Sequence, residues 1–274
     1  MTDIALGGLP LPARVLLLFA SIFAAIALGN RLAKDGRAAV EHRIWLVIVL
    51  MLLAARAAFV WRYRDIYMEA PLRILDLRDG GFRPAVGLAA GIAAAAWIAW
   101  RQAARRTALL VALAVGCAIW VTGSVVLSKA RQGQALPDTA LATLDGGPVR
   151  LRSMLGKPVV LNLWASWCPP CRREMPVLAG AQAAHPEVAF VFANQGETAA
   201  AVGAYLAREG LRLDNVLLDG ATALARETAS PGLPTTLFFD AQGRLVDRRM
   251  GEVSPATLAQ GLDMLRQAAP LTSK

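Results

Sequence analysis

The residues best suited to chemistry are two cysteines separated by two prolines, Cys168-Pro169-Pro170-Cys171. Thiols at this spacing at the start of a helix can close to a disulfide and reopen. The prolines fit that placement, because proline cannot continue a helix interior but is tolerated in the first turn. A helix beginning at Cys168 turns unpaired backbone N–H groups and the positive end of its dipole toward the sulfur. Both favour thiolate, and CxxC thiols in this setting have pKa values of roughly 3.5–7.5. Cys168 is then the nucleophile. Cys171, one turn further on and more buried, resolves the mixed disulfide. The other uses of such a pair are a zinc half-site or two packed, inert cysteines. Zinc needs two more ligands. There is no second CxxC, the third cysteine, Cys117, lies in an apolar run, and the only histidines are His42 and His185. This pattern favours redox chemistry with neither metal nor cofactor.

The elements that must hold this dithiol can be read on either side of it. The apolar run Pro158 to Leu163 predicts a buried strand leading in, and 172–184 an amphipathic helix leading out. Upstream, Leu141–Leu144 and Val149–Leu151 flank Asp145-Gly146-Gly147, a hairpin signal. Downstream come a strand at Val188–Ala193, a helix at Ala199–Glu209, a strand at Val216–Leu218 and a helix at Ala221–Ala229. A second hairpin follows, Thr235–Asp240 with Leu245–Met250 around Ala241-Gln242-Gly243, and then a helix from Pro255 to Gln267. Strands alternating with helices predict a mixed α/β sheet covered on both faces.

The stretch from Lys157 to Pro176, with Trp164-Ala-Ser-Trp-Cys-Pro-Pro-Cys171 at its centre, resembles the thioredoxin superfamily. It is similar in particular to the TlpA/ResA-like thiol:disulfide reductases of bacterial envelopes. Gly232-Leu233-Pro234-Thr235-Thr236 matches that family's cis-proline loop, and the resemblance covers about Leu136 to Ala269. It implies a thioredoxin-like fold over 137–270, a redox-active disulfide between Cys168 and Cys171, and substrate binding by Trp167, Leu233, Pro234 and Thr235. Pro234 would be cis, leaving the Leu233 backbone free to pair with a client strand, while Trp164 packs beneath the site. The resemblance also puts an acid, Glu174, near the dithiol. Buried there, its raised pKa would suit proton exchange with Cys171; the alternative is a solvated glutamate paired with a nearby arginine. Asn162 stands where cytoplasmic thioredoxins carry a buried aspartate.

The first half of the chain obeys a different pattern. Hydrophobic residues make up 56% of the whole, and long uncharged runs gather before residue 128. Four read as spans of about 20 residues, the length that crosses a bilayer core: Pro12–Gly29, Ile44–Trp61, Pro84–Trp100 and Ala108–Leu127. The fold class is therefore a four-helix membrane domain over 1–128, a polar linker over 129–136, and the α/β domain. Arg56 interrupts the second span. It lies near one end of a tilted helix or faces a partner. Ala55 to Trp61, Pro71 to Phe82 and Val86 to Gly91 resemble the N-terminal part of prolipoprotein diacylglyceryl transferase. That family's histidine after the Gly-Gly stretch is absent, since Arg83-Pro84-Ala85-Val86 occupies the segment. The resemblance thus implies a degenerate scaffold.

The net charge of +9 could signal nucleic acid, but the arginines fall in short loops between apolar runs. There they suit the cytoplasmic side of a membrane. With the 31–43 and 101–106 loops inside, the C-terminal domain lies outside the cytoplasm, anchored in a bacterial inner membrane. An oxidising compartment is where a dithiol has disulfides to handle. The expected partners are the lipid bilayer, cysteine-bearing client proteins such as apocytochrome c, and a membrane electron donor of the DsbD/CcdA kind. The expected activity is reduction of protein disulfides, with a role in cytochrome c maturation. Two rival functions are a shortened diacylglyceryl transferase with a redox appendage and a scaffold that binds a cysteine-bearing client without turnover. Cys117 has no intramembrane cysteine partner and reads as a small residue at a helix contact.

Overall fold

The computed structural model describes residues 3–6, 9–33, 37–77, 79–101, 106–131 and 134–268. The chain forms two compact units that part between Ala130 and Arg131.

The first unit is helical. A backbone hairpin of β1 (Asp3–Leu6) and β2 (Leu9–Pro12) precedes α1 (Ala13–Leu32), α2 (Arg37–Arg62) and α3 (Arg64–Glu69). A 3-10 turn at Pro71–Leu75 follows, then α4 (Pro84–Arg101) and α5 (Arg106–Arg131). Among the described residues, three stretches are long and apolar enough to cross a membrane: Val40–Arg62, Pro84–Arg101 and Arg106–Leu127. Leu16–Leu32 is apolar and shorter among the described residues, so three of the four expected spans meet the length there. Many of their large apolar side chains face outward, among them Phe23, Leu53, Ile92 and Val126.

The loop expected at 31–43 is largely helix, because α1 continues to Leu32 and α2 begins at Arg37; 34–36 lie outside the described residues. So do residues 102–105 of the expected basic hairpin. Helices α2 and α4 pack closely and antiparallel. The Arg83 amide donates to the Ala55 carbonyl (3.0 Å), while Gly87 and Gly91 lie against Met51. A Cβ at Gly87 would stand 2.8 Å from the Met51 carbonyl oxygen, so only glycine allows that approach.

The second unit is a seven-stranded sheet in the order β4-β3-β7-β6-β5-β8-β9. The strands are β3 (Ala140–Thr143), β4 (Pro148–Arg150), β5 (Val159–Trp164), β6 (Ala189–Gln195), β7 (Val216–Asp219), β8 (Thr235–Phe239) and β9 (Leu245–Met250). β5, β6 and β7 pair in parallel; the other pairings are antiparallel. Alternation along β5 sorts its side chains between two cores. Val160 and Trp164 face a core filled from α6 (Pro169–Ala184), α7 (Ala199–Glu209) and α9 (Pro255–Ala268). Val159, Leu161 and Leu163 face the other, filled by Leu136, Leu151 and Leu224 of α8 (Ala223–Glu227).

The linker expected at 129–136 is structured at both ends. α5 runs to Arg131. At the far end the Leu136 amide donates to the Gly243 carbonyl (2.7 Å), and the Gln134 carbonyl accepts from Leu245 (3.0 Å). Leu136 is buried in the core. The folded unit therefore takes in Gln134, ahead of the start expected at Pro137, because main-chain pairing and one leucine tie this segment to the sheet.

Candidate functional site

The geometry of the site starts from strand register. Parallel β5 delivers the chain at Trp164 into a short turn, and the chain re-enters as α6 at Pro169. Cys168 is the N-cap of that helix, which begins one residue after the expected start, with Pro169 and Pro170 filling its first positions. The Cys171 amide donates to Cys168 Sγ at 3.3 Å, the contact by which a helix N-terminus stabilises a thiolate. Cys168 and Cys171 are joined in a disulfide with Cα atoms 5.3 Å apart, and Cys117 is a free cysteine. Both cysteines are buried in the oxidised state.

The cis-proline loop is placed by the neighbouring pairing. β8 runs antiparallel to β5 with Thr235 opposite Leu163, which brings Pro234 to the end of β5 where the cysteine turn begins. The Leu233–Pro234 peptide is cis. Leu233 is half-buried against the core that contains both cysteines. Thr235 is buried, and its hydroxyl donates to the Gly232 carbonyl (2.7 Å). Its side chain therefore braces the loop and is not free for a client. Trp167 is 67% exposed, so its indole stands out beside Cys168 as a contact surface. Trp164 is buried 5.4 Å from the Tyr205 ring.

Glu174 follows Cys171 by one helical turn, on the same face of α6, and has no exposed surface. The Asn162 amide donates to its Oε1 (2.7 Å), and the Val253 backbone N–H donates to its Oε2 (2.8 Å). Asn162 can reach it because it lies on the α6-facing side of β5, between Val160 and Trp164. Burial pushes the Glu174 carboxyl up to about 8; the hydrogen bonds from Val253 and Asn162 oppose the rise, and the Glu252 charge adds to it. The arginine pairing considered for Glu174 belongs to its neighbours: Arg173 pairs with Glu252 at 2.7 Å.

Glu197 escaped the sequence reading. Its carboxylate accepts from the Ser166 amide (2.6 Å), the Ser166 hydroxyl (2.5 Å) and the Asn194 side chain (2.7 Å). Burial alone would raise this carboxyl, but the hydrogen bonds from Asn194 and Ser166 prevail and hold it below the usual range. A charged group thus pins the turn two residues before Cys168. The available signal was topological: once β5 and β6 are taken as parallel, residues after Asn194 fall beside those after Trp164. Arg248 was also missed. It donates to the Ala229 and Thr228 carbonyls and to Gln134, bracing the segment that leads into the cis-proline loop. Among the described residues, no group of three or more His, Cys, Asp or Glu is placed to hold a metal.

Comparison with known proteins adds an independent line. The redoxin family pattern matches residues 131–262. The thiol-disulfide oxidoreductase ResA of Geobacillus kaustophilus is 30% identical over 165 residues, covering 59% of this chain and 94% of that protein. The thioredoxin-like protein YneN of Bacillus subtilis is 31% identical over 138 residues, covering 49% of this chain and 80% of YneN. Among solved structures, a secreted disulfide oxidoreductase of Mycobacterium tuberculosis is 29% identical and covers 46% of this chain and 95% of that one, with a TM-score of 0.42.

Proposed function

This chain belongs to the family of ResA-like thiol-disulfide oxidoreductases, and from that premise we propose that it reduces protein disulfides outside the cytoplasm while anchored in the membrane. The observation that carries the reading is a dithiol at a helix N-terminus backed by a buried, proton-holding Glu174. In the reduced enzyme, the Cys168 thiolate attacks one sulfur of a client disulfide. That bond breaks, the client's other sulfur leaves as a thiolate and takes a proton, and a mixed disulfide joins Cys168 to the client. Cys171 then loses its proton to the ionised form of Glu174 and attacks Cys168 Sγ. The client's remaining sulfur leaves as a thiolate and takes a proton from solvent, so the client departs as a dithiol and the Cys168–Cys171 disulfide closes. A membrane electron donor of the DsbD/CcdA kind returns two electrons and two protons. The client strand pairs with the Leu233 backbone and lies against Trp167. Apocytochrome c, whose thiols must be free for haem attachment, is the client class put forward.

Helices α1, α2, α4 and α5 form the anchor, with the basic loops in the cytoplasm of a bacterial inner membrane and the dithiol unit on the periplasmic side. The rival transferase role is weakened by Arg56. An anionic headgroup needs donors to bind it, and Arg56 makes six hydrogen bonds within the protein. The deciding experiment is trapping by the full-length Cys171→Ala variant in membranes. Client proteins held on Cys168 through reducible bonds support the proposal. An empty trap, with lipid transfer by the purified protein, overturns it.

A further inference from the structure

The segment between α2 and α4 is a folded collar built on Arg56. This arginine is buried. Its Nη1 donates to Asp79 Oδ1 (3.0 Å) and the Gly81 carbonyl (2.9 Å). Nη2 reaches the carbonyls of Arg73 (3.2 Å), Ile74 (3.0 Å) and Asp76 (2.8 Å), and Nε also reaches Ile74 (3.2 Å). The guanidinium lies 5.5 to 5.9 Å from the ring centroids of Phe59, Tyr67 and Phe82. Tyr67 in turn donates to Asp79 Oδ2 (3.2 Å). Arg56 thus gathers four backbone carbonyls of the following segment to one point on α2.

The height of that point follows from the helix pairing. The Arg83 amide bonds the Ala55 carbonyl, so the first residue of α4 stands level with Ala55 and Arg56. α4 has 18 residues, a length of about 27 Å at the helical rise. A bilayer core is roughly 30 Å thick, so all of α4 is needed to cross it. Its first turn, and Arg56 with it, therefore marks the edge of the core, and α2 rises about 10 Å beyond that edge to Arg62. The carbonyls fastened to Arg56 hold residues 73–76 at the same height. The segment's apolar side chains point away from the protein there: Met68 is 77% exposed, Leu72 84%, Leu75 81% and Leu77 58%. A folded, hydrogen-bonded segment has no reason to turn four large apolar groups into water, where each would cost free energy in proportion to its area.

We propose that the 68–77 collar is a lipid-binding surface, its Met68, Leu72, Leu75 and Leu77 side chains seated at the boundary between headgroups and acyl chains, with Arg56 as the clamp that sets their depth. The occupant is the bilayer because both ends of the collar continue into spanning helices and its height coincides with the membrane edge. This rests on the membrane-anchor reading, and the test separates the two.

Single cysteines replace Leu72, Leu75, Val49 or Ser153 in full-length Cys117→Ser protein with the Cys168–Cys171 disulfide closed. Each is labelled with an environment-sensitive fluorophore and reconstituted into phosphatidylcholine vesicles. Quenchers are lipids brominated near the headgroup end or the tail end of the acyl chain, and aqueous iodide. Val49 lies outward within α2, and Ser153 lies exposed in the other unit. The proposal expects Leu72→Cys and Leu75→Cys labels to be quenched several-fold more by the shallow bromolipid than by iodide, Val49→Cys by the deep bromolipid, and Ser153→Cys by iodide alone. Iodide quenching at Leu72 and Leu75 with deep lipid quenching at Val49 overturns the collar proposal, leaves the anchor intact and marks the face as free for a protein partner. Iodide quenching at Val49 as well overturns both.

Discussion

At the scale of single residues, the proposed mechanism makes Glu174 the group that couples protons to the dithiol. Its pKa of about 8 leaves the acid mostly protonated at neutral pH, with a minor ionised fraction that can take a proton from Cys171. Glu174→Gln keeps the hydrogen-bonded shape and removes the titration. Disulfide exchange measured across pH 6 to 9 should slow near neutrality, on the order of a hundredfold or more for lost acid–base help, and lose its inflection near 8. An unchanged pH–rate profile defeats the role. Stability carries a second signature. Because the folded pKa is raised, the unfolded chain ionises first, near 4.5, while the folded chain keeps its proton to about 8. The contribution of Glu174 to stability is thus highest below about 4.5 and declines as pH rises through this window. Thermal unfolding of the full-length protein in detergent should show that decline in the wild type and a flatter profile in Glu174→Gln.

Glu197 acts on the same turn from the opposite sense. Its lowered pKa gives stability that is present above the ordinary carboxylate range and lost as pH falls through the folded value. Glu197→Gln should cost about 1.5–3 kcal/mol, the scale of hydrogen bonds to a charged group. It should raise KM for clients more than it lowers kcat, because it frees the turn that carries Trp167 while leaving the thiols in place. A fall in kcat at unchanged KM would contradict this.

Among the elements, helix contacts decide which glycines are needed. A Cβ at Gly87 meets the Met51 carbonyl at 2.8 Å and Ala55 Cβ at 2.9 Å, and a backbone atom cannot swing aside. Gly180 in α6 has nothing within 4 Å. Gly180→Ala should therefore stabilise by up to about 1 kcal/mol through helix propensity, whereas Gly87→Ala should lower the melting temperature of the detergent-solubilised protein by forcing α2 from α4. The elements themselves were largely legible in the sequence. Both hairpins of the sheet unit were announced by Gly-containing turns between apolar runs, and the dithiol helix by its prolines. Short or composite pieces were not. The helix expected at 221–229 shrinks to α8, Ala223–Glu227, and ends before Ala229, which adopts a left-handed backbone (φ 48°). The loop after Arg62 concealed a folded collar because its stabilising acceptors are backbone carbonyls, which side-chain patterns do not reveal. For the same reason Thr235 was read as client-facing, although its hydroxyl is held by Gly232.

Over the whole molecule, two units follow two rules: one turns apolar groups outward, the other buries them on both faces of a sheet. A fragment starting at Arg131 should fold as a soluble redox protein. One starting at Pro137 should be less stable by about 2–3 kcal/mol, the value of burying one leucine, because Leu136 and its bond to Gly243 are gone. Denaturant unfolding of the two fragments checks this, and equal midpoints would show that the segment adds nothing. The division into an outward-apolar half and a globular half was plain from the distribution of charge. The true start of the globular half was hidden, since a single leucine in a polar stretch carries no periodicity.

The Arg56 clamp has a last consequence, for how freely this protein can change. Four of the five groups that Arg56 grips are main-chain carbonyls, which nearly every residue offers alike. The side chains at 72, 73, 75 and 77 can therefore be exchanged without loosening the grip, while Arg56 and Asp79 cannot. Substitution tolerance in this stretch should be lopsided: two intolerant positions holding a run of permissive ones. Such a surface can be retuned, residue by residue, to bilayers of different thickness and composition while the frame beneath it stays the same.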